Sequence, residues 1–558
     1  MSAVTNSIVF YNLECYPLCI VNRTEKFVLI LIALSLAIGL WHGFPFTNVV
    51  ADESYFSGAV LRAIDHHSIL PLSLDVPYGT VTYYVNYVFI SIELIILWVF
   101  KGFSLASLKL FVIQYPFVIY LVSRIVSFLF ALVALFGVNN ALRAYISDYR
   151  SRLALIAILF TNILVNVIFH TSKVWILSTL LMLASFYFLL KVIETEEYLK
   201  VRKYIWLSVI TAFLAFANFP LMGVTLLCVP VIWYYKYYRS SNKEGIMRSI
   251  CSSVIVGAIV ALLIVLSNFS GIRDQVHSII FDYTLSPNAI KTNASLFFST
   301  FIHLKKVVMM FPLLVALIAY SLINFKIRHQ KLFKLSLLYA ALYILVLIFI
   351  DRWSVGDRAS LRYFFPLPFF LAFIIASFDL PWKKLLWIPV AISVLYLIPT
   401  LYYLSVEPTN YKAVQFVRTD LSDATNTIIW NDVGADTELP QNKSAYLLTD
   451  KNECASKCEA TIQYNLEKDF KPLVLDAHSD PAKIIAITKN AQVYFVERAA
   501  SSASAASTSP NLQLIAAFTN PTADLEYYSA DDSGNYFDLK YFELSRYGPN
   551  IYIYKAVR

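Results

Sequence analysis

A helical membrane domain crossing the bilayer about eleven times, followed by a soluble α/β domain, is the fold class this sequence predicts. Three observations carry the prediction. Of the 558 residues, 58% are hydrophobic and only 15% charged, with a mean hydropathy of +0.62, the composition of a polytopic membrane protein. Apolar runs long enough to cross a hydrocarbon core of about 30 Å recur throughout residues 27–403. After Tyr403 no run of that length remains. The formal charge of +8 does not point to nucleic acid, because the Lys and Arg excess of such proteins collects in cytoplasmic loops and orients the helices.

The first run, FVLILIALSLAIGLWHGF, follows a polar leader and has no small-residue cleavage site, which predicts a retained signal-anchor helix over 27–45. Further spans are predicted over 118–139, 152–170, 173–192, 204–219, 221–236, 250–269, 305–325, 333–350, 361–378 and 384–403. The segment 82–100 is long enough to join them, and charge distribution argues against it. With that segment excluded, Arg143, Arg150 and Arg152 fall on the inside, as do Lys191, Lys200, Arg202 and Lys203. So do Lys236, Arg239, Lys243 and Arg248, then Lys326, Arg328, Lys331 and Lys334, and finally Lys383 and Lys384. Thr82, Asn86 and Glu93 also share one helical face, a polar stripe that suits a helix lying in the outer interface. A true span with a buried polar pair is the alternative.

Excluding that span leaves a first outer loop of roughly 70 residues, a length that usually carries function. It holds the adjacent acids Asp52 and Glu53, the string Asp65, His66 and His67, and the turn-rich Pro71, Asp75, Pro77, Tyr78 and Gly79. A second outer loop is expected over 271–303. A third, over 351–366, holds Arg352, Arg358 and Arg362. The boundaries are therefore 1–404 for the membrane domain and 405–558 for the soluble domain, which charge parity places outside.

In the soluble domain the short runs NTIIW, SAYLLT, PLVLD, KIIAI, AQVYFVE and NIYIYKAV predict strands. AASSASAASTSPN, over 499–511, reads as a flexible insertion. Cys454 and Cys458 have a spacing that a turn can close into a disulfide in an oxidising compartment. Zinc would need two further ligands nearby, and none is close in sequence. Cys228 and Cys251 read as small core residues, and Cys15 and Cys19 receive no role.

Taken together, the acidic motif Asp52, Glu53 and Tyr55, the interfacial helix from Thr82, and Ser123, Arg124 and Ser127 on the next span resemble the GT-C glycosyltransferases. The late string Arg362, Tyr363, Pro366 and Pro368, opening a span, is similar to the same superfamily, as is the terminal soluble domain. The layout is most similar to the bacterial polyprenyl-phosphate-sugar transferases of the aminoarabinose and protein O-mannosyl branches. Two departures limit the carry-over. The stretch DVPYGTVTYY lacks the lysine that precedes paired prolines in the aminoarabinose branch, so that phosphate contact has no counterpart here. The W-W-D string of oligosaccharyltransferases is absent too, which argues against whole-glycan transfer to asparagine.

The resemblance implies an enzyme of the cell envelope, a hexosyl- or pentosyltransferase of the bacterial inner membrane. It would take sugar from a polyprenyl-phosphate donor to a hydroxyl on lipid, glycan or protein, with inversion. A hydroxyl nucleophile needs a general base, a role suited to Asp52. A phosphate leaves as a stable anion, so the second acid that a glycosidase uses to protonate its leaving group is not required. Glu53 would orient the acceptor, tune Asp52 or hold a divalent ion, the one cofactor left open, with His66 and His67 as further ligands. The alternative is helix capping, with Asp52 as N-cap and Glu53 favouring the dipole.

Positive charge for the leaving phosphate falls first to Arg362 beside Tyr363, then to Arg358 and Arg352, since Arg makes forked contacts with phosphate oxygens. These arginines could instead snorkel to headgroups or pair with Asp351 and Asp357. Lys173 and His170 are weaker candidates between two spans, and Tyr55 belongs to the acidic motif. Arg124, inside a span, is expected to face the site or to pair with Glu93 or Asp52. A lipid-linked glycan flippase or transporter, and a non-catalytic assembly protein, are the other classes this sequence admits.

Overall fold

The computed structural model describes residues 23–42, 54–72, 76, 78–115, 117–277, 296–353, 361–379, 386–432, 441–442, 466–467, 471–476, 491–498, 512–519 and 550–557. The chain begins with α1 (Arg23–Ala37), α2 (Ser54–Asp65), α3 (Thr80–Phe100), α4 (Leu105–Gln114) and α5 (Phe117–Arg143). Next come α6 (Tyr149–Phe160), α7 (Ile163–Phe169), α8 (Val174–Glu194), α9 (Tyr198–Asn218), a 3₁₀ turn (Pro220–Leu227) and α10 (Cys228–Ile232). The membrane domain is completed by α11 (Lys243–Leu266), α12 (Phe269–His277), α13 (Leu296–Met310), α14 (Pro312–Asn324), α15 (Gln330–Trp353), a 3₁₀ turn (Leu361–Phe364), α16 (Leu367–Ala376) and α17 (Trp387–Ser405).

Among the described residues every expected span coincides with helical backbone, and two of the spans are sharply bent. Among the described residues, α3, α5, α8, α11 and Gln330–Phe349 of α15 are each long and apolar enough to cross a membrane. The run expected over 152–170 bends by 67° between α6 and α7, and α13 meets α14 at 97°. Local chemistry explains both breaks. The Asn162 side chain accepts from the Val165 amide and caps α7, while Pro312 lacks the N–H needed to continue α13. Backbone freed inside a membrane must find partners. Here the first break supplies the second, as Asn162 Nδ2 donates to the Met310 carbonyl at 3.0 Å.

One buried ionic cluster orients the bundle. Glu25 Oε1, at the start of α1, accepts from Asn139 Nδ2 at 3.1 Å and Arg143 Nη2 at 2.9 Å, both near the end of α5. It also accepts from Arg152 Nη2 of α6 at 3.0 Å. At the opposite end of the same pair, Arg124 of α5 reaches the turn that follows α1. These contacts make α1 and α5 antiparallel, so the chain between them leaves and returns at the same end of the bundle. A crossing by α3 would therefore need a second crossing before α5. Only α4 is available for it, and its 10 residues extend about 15 Å, half a bilayer core. By length and composition α3 is itself sufficient to cross a membrane.

The polar stripe on α3 is turned inward at Thr82 and Asn86, the buried polar pair of the alternative reading. Thr82 and Asn86 are buried and point into the bundle, where the Asn218 side chain accepts from the Thr82 amide at 2.9 Å. Val88, Phe89, Ile92, Ile95, Ile96, Val99 and Phe100 form the exposed face. In lipid the apolar side turns outward and polar groups seek protein partners, the reverse of a water-facing helix.

After α17, only three residues precede α18 (Thr409–Asp420). The following strands are β1 (Thr427–Asp432), β2 (Gln441–Asn442), β3 (Leu466–Glu467), β4 (Leu473–Asp476), β5 (Gln492–Arg498), β6 (Leu512–Phe518) and β7 (Ile551–Ala556). Five of them form a mixed sheet in the order β4-β1-β5-β7-β6, and β2 and β3 pair separately. β1 runs parallel to β4 and β5, while β7 is antiparallel to β5 and β6. Ala413, Val414 and Val417 of α18, with Leu421 just after it, pack on Ile429, Val474, Tyr494, Val496, Ile551 and Ile553. The strand runs expected over 444–449 and 483–487, the insertion 499–511, and Cys454 and Cys458 lie outside the described residues.

Candidate active site

The end of the bundle opposite Glu25 is built around Gly79, the N-cap of α3. Its φ of +82° lies in the left-handed region, and a Cβ there would stand 2.7 Å from the Phe56 ring and 3.0 Å from Val174. Glycine thus lets three pieces of chain meet: the first turn of α2, the lead-in to α3 and the start of α8. Gly79→Ala is expected to lower stability by about 1–2 kcal/mol from backbone strain alone. The unfolding midpoint of the detergent-solubilised protein would show it, and an unchanged midpoint would contradict this account.

Two asparagines hold the lead-in. The Asn218 carbonyl accepts from the Gly79 amide at 2.8 Å, and its Nδ2 donates to Ser178 Oγ at 2.7 Å. Asn268 Nδ2 donates to the Val76 carbonyl at 2.6 Å and to Thr80 Oγ1 at 3.1 Å. Beside them the Trp175 ring packs edge-on against Phe219 at 4.4 Å and against Tyr363 at 4.9 Å. Tyr363 belongs to the 3₁₀ turn before α16, where the Arg362 guanidinium lies 5.6 Å from its ring centre. The Tyr343 hydroxyl donates to the Tyr363 carbonyl at 2.9 Å and fixes that turn.

The same turn gathers further basic groups. Phe365 packs against Phe169 at 5.2 Å, and the next residue after Phe169 is the buried His170. His170 Nδ1 lies 2.7 Å from the Asn166 carbonyl, which makes that nitrogen the donor. Phe364 lies 5.9 Å from the ring of His303 on α13. His303 and Lys306 are both buried, and they stand three residues apart on one helical face. Sequence reasoning missed this pair by assigning them to a loop end and a span. A lysine inside an apolar helix was the available signal.

The expected residues are placed as follows. Arg362, Tyr363, Lys173 and His170 converge at this end: Lys173 is the N-cap of α8, immediately before Val174 and Trp175. Arg124 is 2% exposed and donates from Nη1 to the carbonyls of Leu40 at 2.8 Å and His42 at 2.7 Å. Tyr55 falls within α2 and Arg352 within α15. Asp52, Glu53 and Arg358 lie outside the described residues. His66 and His67 follow α2 in exposed positions. Their neighbour Asp65 is bonded to Lys109 at 2.6 Å, a contact that holds its carboxyl below the usual range. Among the described residues no three His, Cys, Asp or Glu side chains gather as a ligand set.

Fold and site define a class: a polytopic helical membrane protein with a C-terminal α/β domain and a buried polar, basic end to its helical bundle. No family model and no curated protein matches the chain. Among solved structures, the crystal structure of ArnT from Cupriavidus metallidurans bound to undecaprenyl phosphate matches 95% of this chain and 98% of its own, at 10% identity and a TM-score of 0.44.

Proposed function

We propose that the chain is a membrane glycosyltransferase. It moves a hexosyl or pentosyl group from a polyprenyl-phosphate donor to a hydroxyl on lipid, glycan or protein, with inversion, at the outer face of the bacterial inner membrane. The observation that carries the reading is the meeting, around Gly79, of the first turn of α2 with the start of α8, whose Trp175 touches the Arg362–Tyr363 turn. Phe56 is three residues beyond Glu53 in the chain. A carboxylate base for the acceptor and cations for the leaving phosphate are what the reaction needs; in this reading the acids that precede α2 in the chain provide the first and the Arg362 turn the second.

In this reading Asp52 removes the acceptor proton, and Glu53 orients the acceptor or holds a divalent ion. Arg362, with Lys173, Arg358 and Arg352, receives the phosphate. The basic loops at the Glu25 end mark the inside, so the site and the α/β domain face outward. A compartment-sensitive reporter fused after Arg558 should then report the outside.

The direct test supplies labelled polyprenyl-phosphate sugar to membranes with and without the chain. Label should reach a hydroxyl acceptor only where the chain is present, and removing the chain from its host should make lipid-linked sugar accumulate. The two broken helices favour a second reading, lipid-linked glycan transport, since transporters bind substrate at such breaks. Label that crosses reconstituted vesicles but stays on its carrier would favour transport and sink the transferase.

A further inference from the structure

Ser123 and Arg124 are neighbours in α5, and they reach in opposite directions along the chain. Ser123 Oγ bonds Ser57 Oγ of α2 at 2.9 Å, with both side chains buried. Arg124 holds the carbonyls of Leu40 and His42, in the turn that ends α1. The residues between these anchors include Asp52 and Glu53. The α1 anchor is itself secured, because His42 Nδ1 lies 3.2 Å from the Leu404 carbonyl, which makes that nitrogen the donor. Gly39, at φ +95°, packs so closely that a Cβ would sit 2.6 Å from that of Leu404.

We propose that Ser123 and Arg124 are positioning residues that staple, from one turn of α5, the two chain ends flanking the acidic pair. Carbonyls at a helix end carry partial negative charge, and a guanidinium is the donor that satisfies two of them at once. Burying that cation is costly in a membrane protein. An apolar residue would fill the space at lower cost but would leave the carbonyls without this donor and the turn free to move. The catalytic purpose of the staple, steadying the chain on either side of the proposed general base, rests on the transferase reading. The staple itself does not.

Hydrogen exchange on the full-length protein in detergent tests it. Ser123→Ala should speed exchange about tenfold over residues 54–61, the effect of one lost hydrogen bond, while α8 and α9 keep their protection. Ser57→Ala should do the same. The double variant should be no faster than either single, because one shared bond is removed. Arg124→Met, which keeps an apolar stem but removes the donor, should act on residues 38–42 instead.

Unchanged exchange at both ends, additive effects in the double variant, or a rise that extends through α8 and α9 would overturn the staple. With labelled donor, Ser123→Ala should lower kcat about tenfold at constant KM, and Ser123→Thr should restore it. A fall in KM-dependent binding without loss of kcat would overturn the positioning role. Absence of transfer by the unsubstituted chain would count against the transferase reading alone, and the exchange result would still decide the staple.

Discussion

Replacing Asp52 by Asn is expected to lower sugar transfer by about 10²–10⁴-fold, the usual contribution of a positioned general base, while donor binding is retained. The amide keeps the shape of the carboxyl and removes its basicity, so packing is preserved and only proton removal from the acceptor is lost. Glu53 cannot simply take over, because adjacent side chains on a helix diverge by about 100° and a loop would have to rearrange to exchange them. The test is transfer of label from polyprenyl-phosphate sugar in membranes, alongside a donor-binding measurement on the same variant. Retained transfer would remove Asp52 from the mechanism. Lost binding with lost transfer would reassign it to donor recognition.

Glu25→Ala is expected to destabilise the membrane domain by about 3–5 kcal/mol, the cost of breaking a buried ion pair on one side. Arg152 is as deeply buried as Glu25, with side chains 4% and 3% exposed, and would be left as an uncompensated cation. Its other bonds, from Nε to Asn139 Oδ1 at 3.2 Å and from Nη1 to the Ile146 carbonyl at 3.1 Å, do not neutralise the charge. Pairing Glu25→Ala with Arg152→Met should recover much of the loss, since an apolar side chain of similar length replaces the orphaned charge. Unfolding midpoints in detergent for the single and double variants measure this. A double variant no better than the single would show that the cluster acts by geometry rather than charge.

Much of the fold is legible in the residues because hydropathy and charge act locally. Each expected span falls on helix, and the loss of apolar runs after Tyr403 marks where α17 gives way to α18 and the sheet. The bends were hidden because a run of apolar residues averages over a break. Thr161 and Asn162, or Phe311 and Pro312, barely change mean hydropathy, yet they redirect the backbone by 67° and 97°. β6 escaped detection for a related reason: its pairing with β7 shifts between Leu514 and Ala516, and such a bulge destroys the alternation by which strands are recognised.

The candidate site divides in the same way. Arg362 and Tyr363 stood out by their place at the mouth of a span, and His170 and Lys173 by theirs between two spans. His303 and Lys306 did not stand out, because their significance depends on Phe364, distant in the chain, lying against His303. Arg124 was recognisable as a buried charge, but its bonds to Leu40 and His42 were not, because backbone carbonyls carry no sequence signature.

What the sequence alone determined was the class of molecule, the approximate position of its helices, the change to an α/β domain, and a short set of polar residues that a bilayer tolerates only for a reason. These follow from the transfer energies of side chains, which each residue carries wherever it sits. Tertiary structure alone decided which face of α3 turns inward, where two helices break and how Asn162 of one reaches the Met310 carbonyl of the other, and how Ser123 and Arg124 reach both flanks of the acidic pair. Those outcomes depend on which distant groups become neighbours, and helical periodicity says only which residues share a face, not what that face will meet.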